Sequence, residues 1–317
     1  MTRRGALLFI GLGLAWGIPY LLIKVAVGEL SPVVLVFART GLAAVLLVPI
    51  AVVKGALRPV LPHWRMLVLY SVVEIVVPWL LLTRAEQRLS SSLAGLLIAA
   101  VPIASVGVAF ASGRREHLGR VGAFGLLLGL AGVAFLVGVD VHGSALSAVA
   151  EMAVVVLGYA TGATLLGRSL GQLPGLGVVA GSFIVSSAVY APFAIPALPH
   201  HLPAAKVIWS IAGLAVVCTA IAFLLLFALV AEVGSVRATT ITYLNPAVAV
   251  VAGALVLHEA VTVWTLLGFA LVLGGCVLLS RSRRRPVTAR AGNVAGRPAA
   301  TSATDVGSED VALAETG

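Results

Sequence analysis

Long apolar runs alternate with short polar connectors from the N-terminus to about residue 280. A helix that crosses a membrane needs about 20 mostly apolar residues. Ten stretches fit that pattern: 5–25, 33–53, 66–84, 91–111, 120–139, 147–167, 175–195, 207–229, 236–256 and 261–279. The connectors are short and punctuated by turn-forming residues, as at Ser31-Pro32, Pro59 and Pro62, Leu173-Pro174-Gly175, and Pro196 to Pro203. The pattern predicts an all-α integral membrane protein of ten transmembrane helices.

Composition sharpens this reading. Of 317 residues, 60% are hydrophobic and 10% charged, against about 25% charged in a soluble domain. Mean hydropathy is +1.11, more apolar surface than a soluble core can take up. Cys218 and Cys276 both lie in apolar runs, so no disulfide framework is present to read.

Charge then orients the chain. The net charge of +9 is spread through short loops and forms no nucleic-acid footprint; no nucleic-acid partner is expected. With the N-terminus inside, one side holds Arg3, Arg4, Lys54, Arg58, Arg65, Arg114, Arg115, Arg120, Arg168, Arg237 and the Arg281 to Arg285 cluster. The other side holds Arg84, Arg88 and Lys206. That asymmetry predicts cytoplasmic N- and C-termini in a plasma membrane or bacterial inner membrane. Arg3 and Arg4 imitate a signal peptide, but no small-residue cleavage site follows, so the first span is expected to be retained. The segment 286–317, rich in Ala, Thr, Ser, Gly and acidic residues, is predicted to be a disordered cytoplasmic tail. The arginines before it face anionic headgroups.

The two halves repeat with an offset near 144. Leu80-Leu-Leu-Thr-Arg-Ala85 returns as Leu224-Leu-Leu-Phe-Ala228, and Pro102 returns as Pro246. Gly125 and Gly132 match Gly268 and Gly275, and Gly13-Leu-Ala-Trp-Gly17 has a counterpart in Gly158-Tyr-Ala-Thr-Gly162. Five helices per half is an odd number, so the second half enters the membrane upside down. Inverted repeats of this kind are typical of alternating-access transporters.

Ionisable groups in hydrocarbon are costly and mark function. Four fall inside the predicted spans: Lys24, Arg39, Glu74 and Glu151. At about 1.5 Å per residue, Glu74 lies roughly 12 Å from one end of its span and roughly 15 Å from the other, near the midplane. Burial there disfavours the charged form, which suits Glu74 to carrying a proton; the alternative is a permanently protonated packing carboxyl. Tyr70 sits one turn before it on the same face. Pro78, one turn after, deprives the Glu74 carbonyl of its helical donor and provides a hinge. Lys24 is near enough to its span end to snorkel. Arg39 and Glu151 have similar depth and opposite sign, so an ion pair between them is one arrangement, and two interfacial side chains facing separate headgroups is the other.

Pro102 and Pro246 occupy equivalent places in spans four and nine and provide two more hinges, each leaving a carbonyl, at Ile98 and Thr242, without its donor. Such a group must find water, a side chain or a substrate. Thr239, Thr240, Thr242, Tyr243 and Asn245 crowd that stretch, so a polar cavity wall is expected, the alternative being hydroxyls that return to their own backbone. Trp16 and Tyr159 are placed to stack on a substrate, with cation–π attraction if it is cationic. Trp79 and Tyr20 lie close enough to span ends to belong to an interfacial belt instead. The paired glycines are read as close helix contacts.

Leu14-Ala-Trp-Gly17 with Lys24, Phe37-Ala-Arg39, Ala85 to Pro102, Tyr243-Leu-Asn-Pro246, His258-Glu259 and Gly268 to Gly275 together resemble the EamA-type members of the drug/metabolite transporter superfamily. The likeness spans nearly all of residues 5–280. It implies two EamA-like five-helix repeats, over 1–139 and 147–280, around a central cavity, and export of amino acids or other small metabolites. One departure is Gly113-Arg-Arg-Glu116, where the family's turn reads Gly-Glu.

Enzyme chemistry is not expected. His258-Glu259 opens a zincin motif, but residue 262 is Thr, and no nucleotide loop, nucleophile elbow or metal-spaced Cys/His cluster occurs. No metal and no cofactor is expected. The combined reading is a secondary transporter with a small-molecule substrate and membrane lipids as partners, acting as a monomer or homodimer. It exports metabolites by rocking two inverted halves, with proton coupling through Glu74. The alternatives are a carrier for amphipathic cationic or aromatic drugs, and a scramblase-like lipid-handling protein.

Overall fold

A computed structural model describes residues 2–113, 119–140, 145–234 and 238–283. The tail, Arg237 and most of the Gly113-Arg-Arg-Glu116 turn lie outside the described residues, as do the side chains of Thr239, Thr240 and Arg281. Every regular element among the described residues is helical. In hydrocarbon each backbone N–H and C=O must be satisfied within the chain, which selects helices from apolar runs even where β-branched residues abound. The starts carry polar caps: Thr2, Ser31 and Ser90 each accept from a main-chain N–H three residues on.

Eight helices are long and apolar enough to cross a membrane: α1 (Arg3–Ala26), α2 (Pro32–Val53), α3 (Leu61–Ala85), α4 (Ser91–Ala111), α5 (Arg120–Asp140), α6 (Ala145–Leu170), α7 (Gly175–Ala194) and α8 (Ala205–Val233). Two shorter apolar helices follow, α9 (Ile241–Val256) and α10, whose apolar part is Val263–Leu279. The predicted spans match these positions, with α3, α6 and α8 longer than the hydropathy pattern suggests. α9 is short because its first turn, Thr239–Tyr243, is a 3₁₀ segment, and the α-helix begins at Leu244, two residues before Pro246. Pro102 likewise opens a second α-helical piece, Val101–Ala111, after a break at Ala99 and Ala100. Both prolines therefore begin helical pieces, where their missing N–H costs little.

The lipid-type surface is turned outward. Leu7, Val45, Phe110, Leu127, Phe193, Trp209 and Leu255 are exposed, while Thr40, Ser71, Thr83, Ser182 and Ser186 are buried and donate to main-chain carbonyls one turn back.

The helix pairing obeys a twofold pattern. α2 packs on α7, α4 on α9 and α5 on α10, each helix against its own counterpart, while α1 packs on α8 and α9 just as α6 packs on α3 and α4. Glycines set the closest of these contacts. A Cβ on Gly275 would lie 2.5 Å from the Gly129 nitrogen and 2.6 Å from the Gly125 oxygen, so α5 and α10 touch backbone to backbone. Gly13 and Gly17 of α1 face Leu244 and Val248 of α9, whereas Gly158 and Gly162 of α6 face Pro78 and Glu74 of α3. These two glycine pairs are thus not structural counterparts. They stand 145 residues apart rather than 144, and one residue on a helix turns the side chain by about 100° toward another neighbour.

Contacts also sort the connectors into two ends. Arg4 lies 4.0 Å from Glu232 at the end that holds the N-terminus. At the opposite end Glu29 meets Lys206 at 3.7 Å, and Arg88 meets Ser147 and Glu151 at 2.5 Å each.

Candidate functional site

A stack of aromatic rings crosses the centre of the molecule where the repeats meet. The Arg39 guanidinium of α2 lies 3.7 Å from the centroid of the Trp79 ring on α3. Trp79 is 5.8 Å from Phe183 of α7, which is 5.8 Å from Phe223 of α8, with Phe227 and Trp16 each adjoining Phe223 at 6.4 and 5.9 Å. Arg39 and Phe183 are 144 residues apart, and so are Trp79 and Phe223. The stack is therefore two equivalent pairs joined across the pseudo-twofold, with a cation on one side only.

Arg39 is 8% exposed. Its Nε–H donates to the Thr219 hydroxyl at 3.0 Å, and that hydroxyl donates in turn to the Leu214 carbonyl at 2.7 Å. Thr219 can do both because α8 widens into a π-helix over Gly213–Ile221, a distortion frequent at functional sites. No carboxylate pairs with Arg39 among the described residues. The Arg39–Glu151 ion pair considered from sequence is absent: Glu151 meets Arg84 at 3.3 Å and Arg88 at 2.5 Å. Arg84 comes from the end of α3 and Arg88 from the connector after it, and α3 packs against α6, which carries Glu151. Trp79 and Tyr20, at 8% and 7% exposure, are core residues rather than interfacial ones, because α3 and α1 are enclosed on the faces that carry them.

Glu74 occupies a second π-helical segment, Val72–Val76. Its position relative to Gly213–Ile221 again follows the offset of 144, and Cys218 is the counterpart of Glu74. The bend expected from Pro78 is realised as this wider turn, with the Val77 N–H bonded to the Val72 carbonyl. The Tyr190 hydroxyl of α7 donates to the Val76 carbonyl and holds the segment. Glu74 Oε2 is buried without a hydrogen-bond partner, pressed against Gly162, where a Cβ would sit 2.0 Å away. Tyr70 is buried among Val60, Leu67, Leu170 and Val178. Tyr159 packs against both large core clusters.

The polar stretch of α9 stands apart from this stack. The Tyr243 hydroxyl donates to the Cys276 carbonyl at 3.2 Å, Thr242 is half-buried, and Asn245 Oδ1 is buried without a partner. The Ala99 carbonyl, beside Pro102, accepts from the Cys276 thiol at 3.3 Å. Trp16 joins the stack through Phe223, so the structure brings together Arg39, Trp16, Tyr159 and Glu74 near the repeat interface and leaves Tyr243 and Asn245 nearer to α1 and α10.

The end that holds the N-terminus carries a cleft. Its volume is about 480 Å³ and it is lined by Lys54, Ala56, Pro174, Leu224 and Phe227 among others, and Phe227 is also the last ring of the stack. The opposite end is latched. The Glu259 carboxylate accepts from Ser91 N–H at 2.7 Å, Ser92 N–H at 2.9 Å and the Ser92 hydroxyl at 2.5 Å. Burial works to raise its pKa, but these hydrogen bonds prevail and hold it below the usual glutamate range. Lys24 ties the same loop by donating to the carbonyls of Glu86 and Leu89 at 2.6 and 2.7 Å, a structural duty in place of snorkelling.

The EamA-like transporter family matches residues 3–138 and again residues 146–281. The chain belongs to the EamA-like transporter family. Family membership makes it a membrane transporter of the drug/metabolite type and not an enzyme, and the two matches are its two inverted repeats. No curated protein matches the chain. A solved crystal structure shares the fold with a TM-score of 0.64 at 19% identity, covering 90% of this chain and 100% of that one.

Four residues escaped the sequence reading. Phe183, Phe223 and Thr219 read as ordinary span residues, although adding 144 to Arg39 and Trp79 would have found the first two. Glu86 reads as a loop residue, yet it is fully buried.

Proposed function

We propose that this protein is a secondary active exporter of small metabolites that carry a carboxylate, amino acids being the model case. It crosses a bacterial inner or plasma membrane ten times, both termini lie in the cytoplasm, and the two five-helix repeats rock about the central stack. The observation that carries the reading is Arg39, a buried guanidinium that stacks on Trp79 and donates one hydrogen bond to Thr219. Its remaining N–H groups suit a carboxylate, which a guanidinium holds in a fixed fork. Trp79, Phe183 and Phe223 offer apolar and aromatic surface to the rest of such a substrate. A buried cation disfavours amphipathic amines, so the drug-cation alternative recedes.

The cleft at Lys54 and Phe227 supports entry from the cytoplasm, with the Glu259 latch closing the outer face. Glu74 is the coupling carboxyl: it takes a proton in one state and releases it in the other, and the wide turn before Pro78 gives α3 the freedom to move. Tyr70 and Tyr159 flank it. Tyr243, Thr242 and Asn245 form a second polar wall toward α1, and Pro102 and Pro246 mark the breaks about which α4 and α9 flex.

Proton movement in everted vesicles tests this. Addition of pooled amino acids should produce a saturable proton flux absent from empty vesicles, and pooled amphipathic amines should produce none. Labelled amino acids that move without protons would remove the coupling role from Glu74. Labelled lipid that crosses while no water-soluble pool is transported would replace the carrier reading with a scramblase.

A further inference from the structure

Glu86 follows the last residue of α3 in a short connector, at the end away from the cytoplasmic cleft. A glutamate there is expected to face water. Instead it is 0% exposed, and neither carboxylate oxygen has a hydrogen-bond partner. The nearest cation, Lys24, donates to the main-chain carbonyls of Glu86 and Leu89 instead of to the carboxylate. The charged groups that face Glu86 come from separate elements: Lys24 of α1, Arg39 of α2 and Glu259 of the connector between α9 and α10. Tyr20 of α1 and Tyr159 of α6 are further titratable groups toward it. Two cations at a distance do not replace hydrogen bonds, and an ionised carboxylate so enclosed would be left with its desolvation uncompensated. Burial pushes the Glu86 carboxyl well above the usual glutamate range.

The connector that carries Glu86 is also the one that is latched. Ser91 and Ser92, just beyond it, are held by Glu259 of the other repeat, and Lys24 grips it from α1. The contacts that close this face are therefore the contacts that bury Glu86.

We propose that Glu86 is a second proton-carrying carboxyl, loaded from the outer face when the 86–90 connector lifts from Glu259 and Lys24, and that its neutralisation is a condition for that face to close. Lifting the connector exposes Glu86 to water and brings Lys24 free to pair with it, so the open face favours the carboxylate and the closed face the acid. The inference rests on the proton-coupled reading above.

Labelling with dicyclohexylcarbodiimide tests it, since this apolar reagent attacks protonated carboxyls. The full-length protein in liposomes is labelled from about pH 5 to about pH 9, the range over which buried glutamates titrate, and adducts on the Glu86, Glu74 and Glu29 peptides are quantified by mass spectrometry. Near neutral pH, Glu86 should carry at least roughly ten times the adduct of the ion-paired, exposed Glu29, the ratio expected of a carboxyl whose pKa is raised by one unit or more. Its labelling should fall as pH rises, and Glu86→Asp should keep that response. Absence of the Glu86 adduct, or labelling no greater than at Glu29, with Glu74 still labelled, overturns the proposal and leaves the Glu74 reading standing. Loss of labelling at both, with no proton flux in vesicles, overturns both. The wild-type measurement needs no variant to fold.

Discussion

The α2–α3 pair of the first repeat and the α7–α8 pair of the second occupy equivalent places and share a backbone plan. Both third helices open into a π segment at the same register, Val72–Val76 in one and Gly213–Ile221 in the other. Both present an aromatic ring to the centre, Trp79 and Phe223. The chemistry on that plan is unequal. Where the first pair carries Arg39 and Glu74, the second carries Phe183 and Cys218. Duplication supplied two matching walls, and the ionisable groups sit on one of them. A small carboxylate bound between the walls would meet a guanidinium on one side and rings on the other, which orients it.

The largest expected effect comes from exchanging the unequal carboxyl position. Glu74→Gln should abolish the pH dependence of transport, while Cys218→Ser, its counterpart, should leave that dependence in place. Full proton-coupled activity in Glu74→Gln would remove the distinction between the walls. Next comes the stack itself. Arg39→Leu should lower transport of an anionic substrate by roughly 100-fold, the scale of a lost charge-assisted hydrogen bond in a dry site. Phe183→Leu should cost less than about tenfold, since it removes ring contact alone. Equal losses in the two variants, read as initial rates at matched expression, would mean that the guanidinium does not select the substrate.

A third prediction concerns what the repeats share. Gly275→Ala would drive a methyl into the backbone of α5 and should destabilise the protein by about 1–3 kcal/mol, as overpacking does. Gly274→Ala, whose Cβ would meet Leu128 Cδ2 at an ordinary 3.6 Å, should be close to neutral. Thermal unfolding in detergent separates them. The smallest effect is at the outer end, where the second repeat reaches onto the first. The Glu259 pKa is held low, so its own contribution to the latch is complete above the ordinary glutamate pKa of about 4.3 and is lost as pH falls below it. Hydrogen-exchange protection at the Ser91 and Ser92 amides should therefore be lost as the pH drops below that value; protection that survives there would remove Glu259 from the latch.

Helix positions were legible because hydropathy along a chain is a local property, and a span of apolar residues has one backbone solution in lipid. Glu74 stood out for the same reason, as a carboxyl in the middle of such a span. The interfacial reading of Trp79 and Tyr20 failed because distance from a span end says nothing about which side of a helix is enclosed. Glu86 escaped notice because a connector residue is expected at the surface, and its burial depends on Lys24 and Glu259, respectively 62 and 173 residues away in the chain.

What the sequence by itself determined is the set of helices, their division into two inverted halves and the presence of costly charges among them, since each of these follows from apolar runs, an odd helix count and residue identity. The tertiary structure alone decided which charges meet. Arg39 and Glu151 share depth and opposite sign, yet Glu151 joins Arg84 and Arg88 while Arg39 joins Trp79 and Thr219. Depth is fixed by position along a helix, but partnership is fixed by rotation about its axis, and that rotation is set by packing against the other repeat.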